Sequence, residues 1–223
     1  MAGFERLRKE ITEAYMAREI EMKIPLNQDQ YDYIYDVIFG KETVQGLEVG
    51  NPVNIVKKDE YYSKYELFAE RVAKVREGVE PQVIRIRTVL KAKDGAENKK
   101  FYFTIKRKTI ENGIEFNKED ETFIEKPYVL RDLFKLAGYT MWFEKQKDAF
   151  SVYCKSSVLE GVEFHLELEM VNGYKYIEVE VVDENENMAA DTVKTALCDF
   201  MKLFGLNPED KDGRSWKEIV SAD

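Results

Sequence analysis

The sequence predicts an α+β protein: a closed, eight-stranded antiparallel β-barrel with a polar tunnel and helices packed outside it. Three observations carry this expectation. First, five stretches alternate charged or polar residues with apolar ones at a period of two: Glu19-Ile20-Glu21-Met22-Lys23, Arg85-Ile86-Arg87, Thr104-Ile105-Lys106-Arg107-Lys108, Glu167-Leu168-Glu169 and Glu178-Val179-Glu180. Successive side chains of a strand point to opposite faces, so each stretch sets a charged stripe against an apolar one. Second, the candidate strands are joined mostly by hairpins, with Asn-Gly turns at 112–113 and 172–173, and the βαβ rhythm of a parallel sheet is missing. Third, the charges sort by sign between strands. A solvated sheet usually interleaves signs for cross-strand pairing, whereas here three stripes are rich in glutamate and two in arginine and lysine. The apolar partners are large (Ile20, Met22, Ile84, Ile86, Leu166, Leu168, Ile177, Val179), and amphipathic helices are available to cover them. The apolar face then becomes the outer wall and the charged face the lumen.

Taken in order, residues 3–17 read as a short helix and Arg18–Ile24 as the first strand, ended by Pro25. Asn27 is placed to cap a helix whose apolar face repeats at Tyr31, Ile34, Tyr35 and Ile38. Gly46, Gly50 and Pro52 mark loops in 40–58, and Tyr61–Phe68 reads as a strand. Val83–Leu90 and Phe101–Thr109 form a hairpin over the turn Lys93-Asp94-Gly95, and Ile114–Ile124 returns from Asn112-Gly113. A helix over Val129–Ala137 presents Leu130, Leu133, Phe134 and Ala137, and Gly138 ends it. Met141–Lys147 and Ala149–Cys154 read as two strands, and Gly161–Met170 with Lys175–Val182 as a hairpin. Ala189–Phe204 is an amphipathic helix and Ser215–Val220 a closing helical turn.

With no repeat, linker or composition shift, residues 1–223 read as one domain. A chain that is 44% hydrophobic and 35% charged can bury a large core and stay soluble. No apolar run approaches membrane-spanning length and no secretory pattern opens the chain, so no membrane partner is expected. Two cysteines, Cys154 and Cys198, fit a reduced cytoplasmic setting. The net charge of -9 disfavours nucleic acid as a partner. The single His165 excludes multi-histidine zinc sites and argues against a Ser-His-acid triad.

Carboxylates hold hard divalent cations, and arginine and lysine hold phosphates. One lumen with both is equipped for chemistry on a polyphosphate.

The motifs also resemble a known family. Glu19-Ile20-Glu21-Met22-Lys23 is similar to the ExExK signature of the CYTH superfamily, the triphosphate tunnel metalloenzymes. In order along the chain, Asp59-Glu60-Tyr61-Tyr62 resembles the D-x-Y-F segment, Arg85-Ile86-Arg87 the R-x-R strand, and Phe103-Thr104-Ile105-Lys106 the L-T-L-K strand. Lys118-Glu119-Asp120-Glu121 resembles the acidic strand that follows, Lys145-Gln146-Lys147 stands for K-x-R, and Glu178-Val179-Glu180 for E-I-E. Ser215-Trp216-Lys217-Glu218-Ile219-Val220 resembles the closing S-Y-x-E-L-L helix, so the likeness runs from Glu19 to Val220. The resemblance implies an eight-stranded tunnel acting on inorganic, nucleoside or thiamine triphosphate, or a class IV adenylyl cyclase, with Mg2+ or Mn2+ as cofactor. No histidine stands in Thr12-Glu13-Ala14-Tyr15-Met16, where cyclase members often carry H-F, and Lys147 replaces the usual arginine.

Together these assign Glu19, Glu21, Glu178 and Glu180 to metal, with Glu119, Glu121, Glu167 and Glu169 as second-rank acids. Lys23, Arg85, Arg87, Lys106, Lys108, Lys145 and Lys147 are assigned to phosphate, and Glu19, Glu21 and Lys23 to catalysis. Arg214 or Lys217 could reach the tunnel end. The expected activity is metal-dependent hydrolysis of a small-molecule triphosphate. An adenylyl cyclase and a noncatalytic polyphosphate- or nucleotide-binding module are the alternatives, and a homodimer is compatible with the chain.

Overall fold

The computed structural model describes residues 18–93, 96–183 and 188–221. The helix expected over 3–17, and Asp94 and Gly95 of the first turn, lie outside them.

Nine strands form one sheet: β1 (Arg18–Pro25), β2 (Leu47–Val49), β3 (Val53–Ser63), β4 (Val83–Lys93), β5 (Ala96–Glu111), β6 (Ile114–Phe123), β7 (Thr140–Ser156), β8 (Glu163–Val171) and β9 (Tyr174–Asp183). Eight of them run in the order β7-β3-β4-β5-β6-β1-β9-β8, and β8 pairs back to β7 and closes the barrel. Every neighbouring pair is antiparallel, and short β2 is an addition to the far end of β7. Closure leaves no long edge strand to manage. The Asn112-Gly113 and Asn172-Gly173 corners have φ of 52° and 77°, and 51° and 87°, the left-handed pair that a two-residue hairpin turn demands.

The helices are α1 (Gln28–Ile38), α2 (Phe68–Arg76), α3 (Pro127–Leu136), α4 (Ala190–Leu203) and α5 (Trp216–Val220). Asn27 and Gln30 form a capping box on α1, and Ser215 and Glu218 another on α5. The main core lies outside the barrel. Ile20, Met22, Leu166, Leu168, Ile177 and Val179 point outward and are completely buried with Ile34 and Val37 of α1 and Val193, Leu197, Phe200 and Met201 of α4. Each such side chain contributes about 1.5–3 kcal/mol by leaving water. A smaller cluster joins Tyr62, Ile84 and Ile86 to Phe134 of α3. Helices on the wall and charge in the lumen are thus two consequences of one alternation.

Several boundaries differ from expectation. The strand expected at Tyr61–Phe68 begins at Val53 and stops at Ser63, and Phe68 instead opens α2. The two strands expected over 141–154 are one continuous β7. Leu133 is 56% exposed, so the buried side of α3 rests on Phe134 and Leu130.

Candidate active site in the tunnel

The period-two stripes converge on a single cavity of about 530 Å³ inside the barrel. Glu19, Glu21, Lys23, Arg85, Arg87, Lys106, Lys108, Glu119, Glu121, Lys145, Lys147, Glu167, Glu178 and Glu180 all line it. Glu169 is fully buried behind the lining, against Lys147. Lys217 reaches the cavity, while Arg214 turns to Asp212 at 2.7 Å. Tyr61 is part of the cavity wall and Tyr62 of the smaller core, and Trp142 and Trp216 also line the cavity.

The strand order divides this lumen in two. The consecutive strands β7, β3, β4 and β5 bring Lys145, Lys147, Lys57, Arg85, Arg87, Lys106 and Lys108. The consecutive strands β6, β1, β9 and β8 bring Glu115, Glu119, Glu121, Glu19, Glu21, Glu178, Glu180 and Glu167. Asp59 and Lys23 are the exceptions, each an opposite charge set into the other half. Asp59 is wholly buried and accepts from Arg87 Nε and Nη2 at 2.7 and 2.9 Å. Burial opposes its charge, but Arg87, Arg85 and Lys145 hold its carboxyl well below the usual range. Lys23 and Lys108 lie 3.2 and 3.1 Å from Glu115. Burial would raise Glu115, yet Lys108 and Lys23 pull it down to about 2.

The carboxylates form two groups. Glu19, Glu21 and Glu180 bring ligand oxygens within 4.8 Å of one another, and Glu167, Glu169 and Glu178 do the same. The register explains both. Glu21 is directly opposite Glu180, and Glu167 directly opposite Glu178, like charges that repel unless a cation stands between them. In the second group that cation is already present: Lys147 Nζ lies 2.7 Å from Glu167, 3.2 Å from Glu178 and in contact with Glu169, and Lys57 Nζ is 2.5 Å from Glu167. In the first group Lys106 lies 3.4 and 3.5 Å from Glu19 and Glu21 and 3.3 Å from Glu119, and Glu180 meets His165 Nδ1 at 2.7 Å. Burial lifts the Glu19 carboxyl to about 8, against the pull of Lys106 and with help from Glu119, Glu180 and Glu21. This is a set of hard oxygen donors short of positive charge.

On the phosphate side, Arg85 is 5% exposed and donates through Nη2 to Thr104 and Glu119, both at 3.0 Å. Lys145 lies over the Trp216 ring at 5.0 Å and 3.8 Å from Asp59. Burial pulls its ammonium down to about 7, with Asp59 opposing and Lys147 adding to the fall.

Sequence reasoning missed three participants. Lys57 was hidden in a stretch read as loop. Asp59 was noticed only as a motif letter. Glu115 shares its face with Glu119 and Glu121, a spacing that could have found it. The structure also sets Ser151 Oγ 2.7 Å from His165 Nε2, and His165 Nδ1 2.7 Å from Glu180. The lone histidine had argued against such a chain. Ser151 is not part of the cavity lining, so the chain orients Glu180 rather than presenting a nucleophile.

No protein-family model matches the sequence, and no curated protein matches it. Solved structures do. A Pyrococcus horikoshii protein aligns over 92% of this chain and 98% of its own, with 20% identity and a TM-score of 0.60. A candidate adenylate cyclase from Vibrio parahaemolyticus aligns over 91% and 97%, with 18% identity and a TM-score of 0.57. A candidate adenylyl cyclase from Hippeastrum, described as having a dominant triphosphatase activity, aligns over 93% and 96%, with 16% identity and a TM-score of 0.56. The chain has the closed tunnel fold of these proteins, the fold that its motifs resembled. No helix among the described residues is long and apolar enough to cross a membrane.

Proposed function

We propose that the protein is a divalent-metal-dependent triphosphatase that hydrolyses a triphosphate inside the tunnel. The observation that carries this reading is the division of one lumen into a cationic half and a carboxylate half. A triphosphate carries about four negative charges and needs the first half; binding alone gives no reason for the second. Glu19, Glu21 and Glu180 would hold Mg2+ or Mn2+, since three carboxylates on facing strands with oxygens within 4.8 Å of one another suit a hard cation. When bound, such an ion neutralises phosphate charge and polarises a water.

The rest is the work of the chain. Lys106, with carboxylates on one side and Arg85 on the other, sits at the border of the two halves and meets the phosphate nearest Glu19 and Glu21. Arg85 forks onto phosphate oxygens where it now holds Glu119, and Lys108 and Lys23 neutralise the remaining charge as point cations. Arg87, held at two nitrogens by Asp59, keeps Arg85 and Lys145 in register. Phosphoryl transfer has a loose transition state, so the rate comes from placement and fixed charge rather than from a nucleophilic side chain.

The direct test is to incubate the purified protein with inorganic triphosphate, ATP and thiamine triphosphate in Mg2+ or Mn2+, assaying orthophosphate and cyclic AMP. Orthophosphate release supports the proposal. Cyclic AMP with pyrophosphate would make it a cyclase, and tight binding without turnover a noncatalytic module.

Lys145 supplies a second expectation. Burial pulls its ammonium down to about 7 in the free protein, and an arriving phosphate favours its charged form. Triphosphate binding at pH 8 should therefore take up close to one more proton in the wild type than in Lys145→Met. Calorimetry in buffers of different ionisation enthalpy measures this difference; identical uptake would remove Lys145 from the phosphate site.

A further inference from the structure

The two carboxylate groups differ in what already stands inside them. Glu167, Glu169 and Glu178 gather at the seam where β8 pairs back to β7 and the barrel closes. Two like-charge pairs meet there. Lys57 lies directly opposite Lys147 across β3 and β7, and Glu167 directly opposite Glu178 across β8 and β9. Each pair alone is repulsive. Brought together they compensate, with Lys57 and Lys147 both on Glu167. Lys147 goes further, because its ammonium is at ion-pair distance from all three acids of the group at once. In the first group the contacts are divided: Lys106 pairs with Glu19 and Glu21, and Glu180 meets His165.

A small divalent ion shared by carboxylates lies about 2.0–2.6 Å from each ligand oxygen. In the second group the point that such an ion would take is filled by Lys147 Nζ. The site is also closed: the side chains of Lys147, Glu167 and Glu169 are 3%, 3% and 0% exposed. A metal ion brought in beside that ammonium would meet a like charge where little water screens it. We propose that Lys147 is the resident cation of this second group and closes it to metal, so that the tunnel takes one divalent ion per chain, at Glu19, Glu21 and Glu180. The lysine holds Glu178 beside Glu167 permanently, as a bridging ion would. Lys147 is then not a phosphate ligand and Glu178 not a metal ligand, although the sequence assigned them so. Only the count of one rests on the metal reading of the first group; the closing of the second does not.

Counting ions tests both. Mn2+ is titrated into the metal-free protein without substrate, and the bound number is read by calorimetry and from the spin-resonance signal of free Mn2+. The wild type should bind one ion. Lys147→Met should bind two, with anomalous diffraction placing the gained ion among Glu167, Glu169 and Glu178. Lys147→Arg, which keeps a cation in place, should stay at one. Adding Glu178→Gln to Lys147→Met should weaken the gained ion by about tenfold or more, since even an outer partner of a metal ligand is worth that much. Two ions in the wild type overturn the proposal, and so does an unchanged count in Lys147→Met. The wild-type count stands as a test by itself if the methionine variant does not fold. A wild type that binds no Mn2+ would sink the metal reading of the first group, while a gain from none to one in Lys147→Met would still show that the lysine closes the second.

Discussion

Replacing Glu19 by Gln should lower turnover at least ~100-fold, comparable to losing a central electrostatic group from other active sites, and should weaken Mn2+ binding at the same time. Glu19 is the member of the first carboxylate group most burdened by its surroundings, with burial and three neighbouring carboxylates raising it to about 8. A group so placed gains most from an added cation. The amide keeps the shape and removes the charge, so the fold should persist. Glu178→Gln makes the informative contrast. Glu178 already has Lys147 at 3.2 Å and belongs to the other group. Its loss should reduce turnover through a loosened Lys147 while leaving Mn2+ affinity within a few-fold of wild type. Calorimetric or paramagnetic Mn2+ titration of both variants checks this. Equal loss of Mn2+ affinity in the two would merge the two carboxylate groups into one site.

Lys106→Met should have the largest effect on stability. The ammonium lies within 3.5 Å of Glu19, Glu21 and Glu119 and is largely buried. Burial opposes its charge, but Glu21, Glu119 and Glu19 together hold its pKa well above normal. Without it those acids face one another unpaired. Removing one partner of a buried ion pair costs about 3 kcal/mol or more, roughly a 10 °C fall in melting temperature for a chain of this size. Saturating Mn2+ should recover more of the loss in the variant than it adds to the wild type, because the cation replaces the missing charge. Triphosphate turnover should not return. A melting temperature within 2–3 °C of wild type, or no Mn2+ rescue, would show that the acids do not depend on Lys106.

How far these features were legible in the sequence follows from where the alternation is clean. β1, β4, β5, β8 and β9 carry unbroken stripes, and their lumen residues could be read directly. β3 hid its start because Lys57 and Lys58 are adjacent charges on opposite faces, the first to Glu167 and the second to Glu144. α2 was invisible because its one buried residue is Arg71, anchored by an indole and a carbonyl rather than by an apolar stripe. The bulge in β7 at Trp142 is a register event, which no local pattern encodes. The split of the carboxylates likewise depends on pairing, since Glu21 meets Glu180 only through the β1–β9 register. Composition argued against the Ser151–His165–Glu180 chain because a single histidine seemed too little; one suffices when three strands bring its neighbours to it.

In the proposed enzyme one lumen seats a metal ion on its acidic half and a triphosphate on its basic half. Crystals grown with Mn2+ and a nonhydrolysable triphosphate, measured at the manganese absorption edge, test it most directly. The expected map has an anomalous peak among Glu19, Glu21 and Glu180 with phosphate density against Arg85 and Lys106. Manganese bound elsewhere, or a triphosphate lying outside the barrel, would contradict it.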